Sequence, residues 1–197
     1  MIEKVFIIHR SVVIEREKYV NNLISNFPNY EIIEPIIPEN LNNYGGKRKS
    51  LKNRNSELSL TLTNLSIYEN IVTNKLNNVI IFEDDAIQVA PIPQLDLDNY
   101  AIYLHKFRHP HQKENEIYDC QAMFYPTWQN TEKLLNLIKS EPKLLVIDNQ
   151  LQKIKETYKL HDKLIQLDEM IFIQAPGKSS VVDYYFNNRY KKYSQDE

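Results

Sequence analysis

Glycine is scarce in this chain of 197 residues: only Gly45, Gly46 and Gly177 occur. Neither a G-x-G-x-x-G fingerprint nor a Walker A loop can be written with them, so nucleotide binding has to use another device. The one cysteine, Cys120, excludes an intrachain disulfide and a thiolate zinc set, and reads as a small buried hydrophobe. No apolar stretch reaches the length that spans a bilayer. Met1 to Ile8 passes into a short strand-like run without the longer apolar segment of a signal peptide. A net charge of -2 exerts no general pull on nucleic acid, and no nucleic-acid partner is expected. These absences point to a cytoplasmic protein, with peripheral membrane contact left open.

What is present is an ordinary globular balance, 42% hydrophobic and 25% charged. One α/β domain is expected over residues 1–186, followed by a polar tail, 187–197, that frays. Its centre is Val79-Ile80-Ile81-Phe82-Glu83-Asp84-Asp85. Four apolar residues in a row describe a strand buried on both faces, since a half-exposed strand would alternate apolar with polar. Acidic groups at its exit stand where open α/β sheets bind ligands. By strand alternation Glu83 and Asp85 share one side and Asp84 takes the other. Three adjacent carboxylates repel one another unless a cation or hydrogen bonds offset the repulsion. Oxygen ligands suit Mn²⁺ or Mg²⁺, and a solvated acidic turn is the alternative.

Around this strand the chain reads as alternating elements. Lys4 to Ile8 is a buried strand, Glu15 to Phe27 a helix ended by Pro28, and Tyr30 to Ile37 a second strand interrupted by Pro35. The order predicts parallel pairing with helical crossovers, a mostly parallel sheet flanked by helices. Asn40 to Ser56 is polar and aperiodic, either a solvated loop or one that closes over an anionic diphosphate with Lys47 and Arg48. Glu57 to Asn74 carries one apolar face, with Ser56 as its cap. Tyr100 to Leu104 and Ile117 to Tyr125 are strands, and Thr127 to Ser140 is an amphipathic helix. Leu144 to Asp148 is an apolar run ending in another acid, Gln150 to Tyr158 is helical, and Met170 to Ile173 is a last strand. His105, His109 and His111 surround Pro110, which denies them a fixed helical spacing, so no histidine metal site is expected.

Three segments in order resemble glycosyltransferase family 25, which includes lipooligosaccharide and collagen galactosyltransferases. Ile7-Ile8-His9-Arg10-Ser11 is similar to the family's strand and N-L-D-R-S loop, with Arg16 or a neighbour standing for a later Arg. Ser56 to Tyr68 resembles its G-E-x-G-C-x-L-S-H-x-x-x-W motif at Glu57 and Leu62, with Thr63-Asn64 where Ser-His would stand. Glu83-Asp84-Asp85 matches its E-D-D, and Val146-Ile147-Asp148 looks like its P-V-D.

The resemblance implies a GT-A-like fold and a metal-assisted, inverting transfer. The sugar would pass from a nucleotide-sugar donor, usually UDP-linked, to a glycan or glycoconjugate acceptor. It implies metal contact by Asp85 and Glu83, and donor contacts by Arg10, Ser11, Asp84, Thr63 and Asn64. Asp148 is the first candidate for the catalytic base, with a helix N-cap as its alternative role. The changed Ser-His pair leaves room for a catalytically lapsed nucleotide-sugar or glycan-binding module, and a metal-dependent phosphoesterase is a third reading.

Overall fold

A computed structural model describes residues 1–37, 51–104 and 121–175. Strand β1 (Lys4–Ile8) has β2 (Tyr30–Ile33) on one side and β3 (Val79–Glu83) on the other, both parallel to it. Beyond β3 comes β6 (Ala122–Tyr125), antiparallel, then β5 (Ala101–Tyr103), antiparallel to β6, and β7 (Leu164–Gln166), parallel to β5. The sheet order is β2-β1-β3-β6-β5-β7, and of these strands only β6 is reversed. A short second sheet pairs β4 (Ala86–Gln88) antiparallel with β8 (Phe172–Gln174).

Strand alternation divides the core between the two faces. Val5 and Ile7 of β1 and Ile80 and Phe82 of β3 pack with Val20 and Leu23 of α1 (Glu17–Asn26) and with Phe172 of β8. The rings of Phe27 and Phe172 lie 5.3 and 4.8 Å from that of Phe82. Phe6, Ile8, Val79 and Ile81 face the other way, onto α2 (Leu51–Thr73), α3 (Trp128–Ser140) and α4 (Ile147–Thr157). Burial on both faces explains why β1 and β3 are unbroken apolar runs: each fully buried aliphatic or Phe side chain contributes about 1.5–3 kcal/mol. The result is three layers, with helices on one side and α1 plus the small sheet on the other. The mostly parallel sheet flanked by helices stands as expected.

Several boundaries differ. Helix α2 starts at Leu51, so Ser56 lies inside it rather than capping it, and residues 51–56 of the expected loop are helical. Their polar composition hides a helix because Lys52 and Arg54 have good helix propensity without adding to an apolar face. Strand β4 is too short to show a period, and its pairing with β8 supplies its order. Helix α4 starts at Ile147 with Val146 at the N-cap, so the apolar run ends as the first turn of a helix and Asp148 is not its cap. Thr127 does cap α3, its side chain accepting from the Asn130 N–H at 3.2 Å. The loop with Lys47 and Arg48, the three histidines, Cys120 and the tail 187–197 lie outside the described residues.

Candidate active site

The carboxylates sit at the carboxyl end of the central parallel strands. Pairing of Ile8 with Glu83 places the next residues of the two strands, His9 and Asp84, side by side. His9 Nδ1 lies 3.0 Å from Asp84 Oδ2, both side chains being buried. Arg16 comes from a 3-10 turn, Ile14–Arg16, that runs into α1. Its guanidinium donates through one nitrogen to Asp84 Oδ1, and another nitrogen stands 3.3 Å from Asp85 Oδ2. The alternation expected for Glu83, Asp84 and Asp85 therefore fails after Glu83. The chain turns there into β4, and a single planar fork spans both aspartates.

Asp85 is the most enclosed of the three acids. Its Oδ2 also accepts from Gln174 Nε2 at 3.0 Å, and its backbone carbonyl accepts from the Ala175 N–H at 2.6 Å. Its Oδ1 is buried and, among the described residues, has no hydrogen-bond partner. Burial pushes the Asp85 carboxyl above its usual range. Arg16 and Gln174 pull it the other way, and the neighbouring Asp84 adds to the rise. For Arg16 burial acts downward, but Asp85, Asp84 and Glu83 outweigh it and the net shift is upward. The acids are thus offset by an internal guanidinium and hydrogen bonds.

Loss of the fork geometry has a measurable consequence. Arg16→Lys keeps the charge but cannot span both carboxylates, and is expected to cost about 1.5–3 kcal/mol in denaturant unfolding. An unchanged midpoint and slope would show that the fork contributes nothing.

Whether a divalent cation fits is decided by the free oxygens. Asp84 has both oxygens engaged, by His9 and Arg16. Asp85 Oδ1 is an orphaned buried acceptor, the kind of atom that a hard cation satisfies. Among the described residues no group of three or more His, Cys, Asp or Glu side chains forms a cage. The arrangement fits an ion held through Asp85 and completed by phosphate oxygens and water, the usual mode for Mg²⁺ at nucleotide sites.

The remaining expected residues lie in different settings. Arg10 and Ser11 are exposed in the loop leaving β1, where the Ser11 N–H donates to Glu34 Oε2 at 3.2 Å. Helix α2 leads into the start of β3, so its earlier turns reach the carboxyl edge, on the face away from Arg16. There Thr63 Oγ1 donates to the Ser59 carbonyl at 2.7 Å and accepts from the Ile36 N–H at 2.9 Å, while Asn64 Nδ2 donates to the Leu60 carbonyl at 2.9 Å. These bonds serve α2 and the segment after β2. Asp148 begins α4 on that same face, with Oδ1 accepting from the Asn149 N–H at 2.8 Å.

Two residues of the cluster escaped the sequence. His9 had a usable signal, because a parallel β1–β3 pair sets the residues after Ile8 and Glu83 beside each other. Gln174 had none, since its reach to Asp85 depends on the β4–β8 pairing.

No protein-family model matches the chain, and no curated protein matches it in sequence. Among solved structures it is similar to the crystal structure of a glycosyltransferase involved in the glycosylation of the major capsid of PBCV-1. That match has a TM-score of 0.52 and 11% identity, covering 91% of this chain and 96% of that one. It is also similar to the apo-form glycosyltransferase GlyE of Streptococcus pneumoniae TIGR4, at TM-score 0.49 and 14% identity over 85% of this chain and 45% of that one. At such identities the likeness is one of fold: this chain has a GT-A-like α/β fold, in common with the PBCV-1 capsid glycosyltransferase.

Proposed function

We propose that the protein is a glycosyltransferase that moves a sugar from a nucleotide-diphosphate donor, a UDP-sugar, to a hydroxyl of a glycan or glycoconjugate. The observation that carries this is the buried, unpartnered Oδ1 of Asp85 at the carboxyl edge of a GT-A-like sheet, beside a guanidinium held in place by two aspartates. A diphosphate brings negative charge to that edge and needs positive charge to meet it. Arg16 supplies one such group, and Asp85 with Glu83 would hold Mn²⁺ or Mg²⁺ against the phosphates. When bound, the ion would offset the charge that develops on the departing nucleotide.

The chain's own residues would do the rest. His9 and Arg16 fix Asp84, and through the shared guanidinium Asp84 and Asp85 keep one geometry. Arg10 and Ser11 line the loop above them and contact the donor. Asp148 takes the proton from the acceptor hydroxyl as its oxygen bonds to the anomeric carbon. The bond from that carbon to the β-phosphate oxygen breaks in the same displacement, the nucleotide diphosphate leaves with the electron pair, and the anomeric configuration inverts.

The resemblance to family 25 fits this chemistry, and a cytoplasmic, membrane-peripheral setting would suit a glycoconjugate acceptor. Among the described residues no helix is long and apolar enough to cross a membrane. A lapsed binding module is the second reading, favoured by Thr63 and Asn64, whose side chains bond to α2's own carbonyls.

Calorimetry with UDP-sugars and Mn²⁺, paired with a nucleotide-release assay across donors, separates the two. Cation-dependent binding with release of UDP is the expected result. Binding without turnover in the presence of acceptors favours the lapsed module, and no binding of any nucleotide sugar overturns both.

A further inference from the structure

The short sheet β4–β8 brings a neutral side chain to the most buried acid of the site. Gln174 stands opposite Ala86 in that pairing, one residue past Asp85, and its amide nitrogen reaches Asp85 Oδ2 at 3.0 Å. The Ala175 N–H reaches the Asp85 carbonyl, so backbone and side chain of one β8 stretch grip both ends of the same residue. Arg16 approaches the same Oδ2 at 3.3 Å from another element, the 3-10 turn before α1. Two donors from different parts of the fold thus converge on one carboxylate oxygen, while the other oxygen, buried, has no hydrogen-bond partner among the described residues.

We infer that Gln174 is a positioning residue that fixes the orientation of the Asp85 carboxylate, so that one oxygen is kept for the cation of a metal–nucleotide diphosphate complex. The role rests on the cation site proposed above. A carboxylate has two equivalent oxygens and turns about one torsion. A lone guanidinium at 3.3 Å, shared with Asp84, holds that torsion loosely. The Gln174 amide tightens it, because tilting the carboxylate plane would stretch its 3.0 Å hydrogen bond and leave a polar N–H facing the buried turn. A carboxylate already held in one orientation has none to lose when the ligand arrives, the advantage of preorganisation. Groups that orient a metal-binding carboxylate typically change metal affinity by about 10–100-fold when removed.

The test uses Gln174→Met, which keeps the length of the side chain and removes the donor. Titration of the intact protein with UDP, in Mn²⁺ and in chelator, should show the Mn²⁺-dependent gain in UDP affinity reduced by about 10–100-fold, with affinity in chelator unchanged. A purely architectural role would lower both affinities together or neither, and either pattern overturns the inference. Gln174→Leu, which also lacks the donor and adds no charge, should reduce the Mn²⁺-dependent gain in the same way, and serves if the Met variant does not fold. Wild-type protein without any Mn²⁺-dependent UDP binding overturns the cation site and this role with it. Mn²⁺-dependent binding that both variants keep at full strength overturns the role of Gln174 alone.

Discussion

Asp85→Asn is expected to keep the fold and lose transfer by about 10³-fold or more, the several kcal/mol that a cation contributes to a departing diphosphate. The amide can turn its oxygen toward Gln174 and Arg16, which now meet Oδ2, so the local hydrogen bonds survive. Its NH₂ then occupies the place of the unpartnered Oδ1 and puts a donor where a cation needs an acceptor. Arg16 keeps Asp84 as its counter-ion. Burial already disfavours the charged form of Asp85, so loss of that charge costs little, but the buried NH₂ meets no acceptor among the described residues, and a stability loss of about 1–3 kcal/mol is expected.

The sign with pH follows from the raised carboxyl. The wild type carries a full cost from this group above its raised pKa and sheds it as pH falls through that pKa toward the usual carboxylate range, while the Asn variant lacks that component. UDP affinity should fall in Mn²⁺ and hold in chelator. A folded variant with wild-type turnover would remove Asp85 from the mechanism.

Asp148→Asn should retain donor binding and melting temperature and cut turnover by about 10²–10⁴-fold, the scale of general-base assistance. Its position removes the N-cap explanation, because Val146 holds that place and Asp148 lies in the first turn. The architecture it provides includes an oxygen for the Asn149 N–H and a negative charge near a helix N-terminus, worth about 0.3–1 kcal/mol. Asn keeps the first of these. A rate effect without a stability effect therefore identifies chemistry, and single-turnover kinetics with pre-bound donor would measure it. Wild-type turnover would send the search for the base elsewhere. Asp84 is a poor substitute, since His9 and Arg16 take its two oxygens, and Asp119 and Asp183 lie outside the described residues.

Local pattern was enough for β1 and β3, the acidic turn after β3, and helices α1 and α3. Burial on two faces writes itself as a continuous apolar run, and burial on one helical face as a 3.6-residue period; neither needs knowledge of distant contacts. Polar segments gave less. The first turns of α2 and the start of α4 were misplaced because polar helix formers carry no period and an apolar run of four residues, Leu144 to Ile147, fits a strand or a buried helix start equally well.

The amino-acid sequence by itself determined that three carboxylates would leave a buried strand at the ligand-binding edge of an α/β sheet, and that some positive or hydrogen-bonding group had to offset them. Which groups do so was decided only in three dimensions. His9 and Arg16 lie 75 and 68 residues from Asp84, and Gln174 lies 89 residues from Asp85. The parallel register of β1 with β3 brings His9 to Asp84, the turn before α1 aims Arg16, and the antiparallel β4–β8 pair delivers Gln174. Such partnerships depend on strand order and register, which the packing of the whole chain sets, and no local spacing of residue types encodes them.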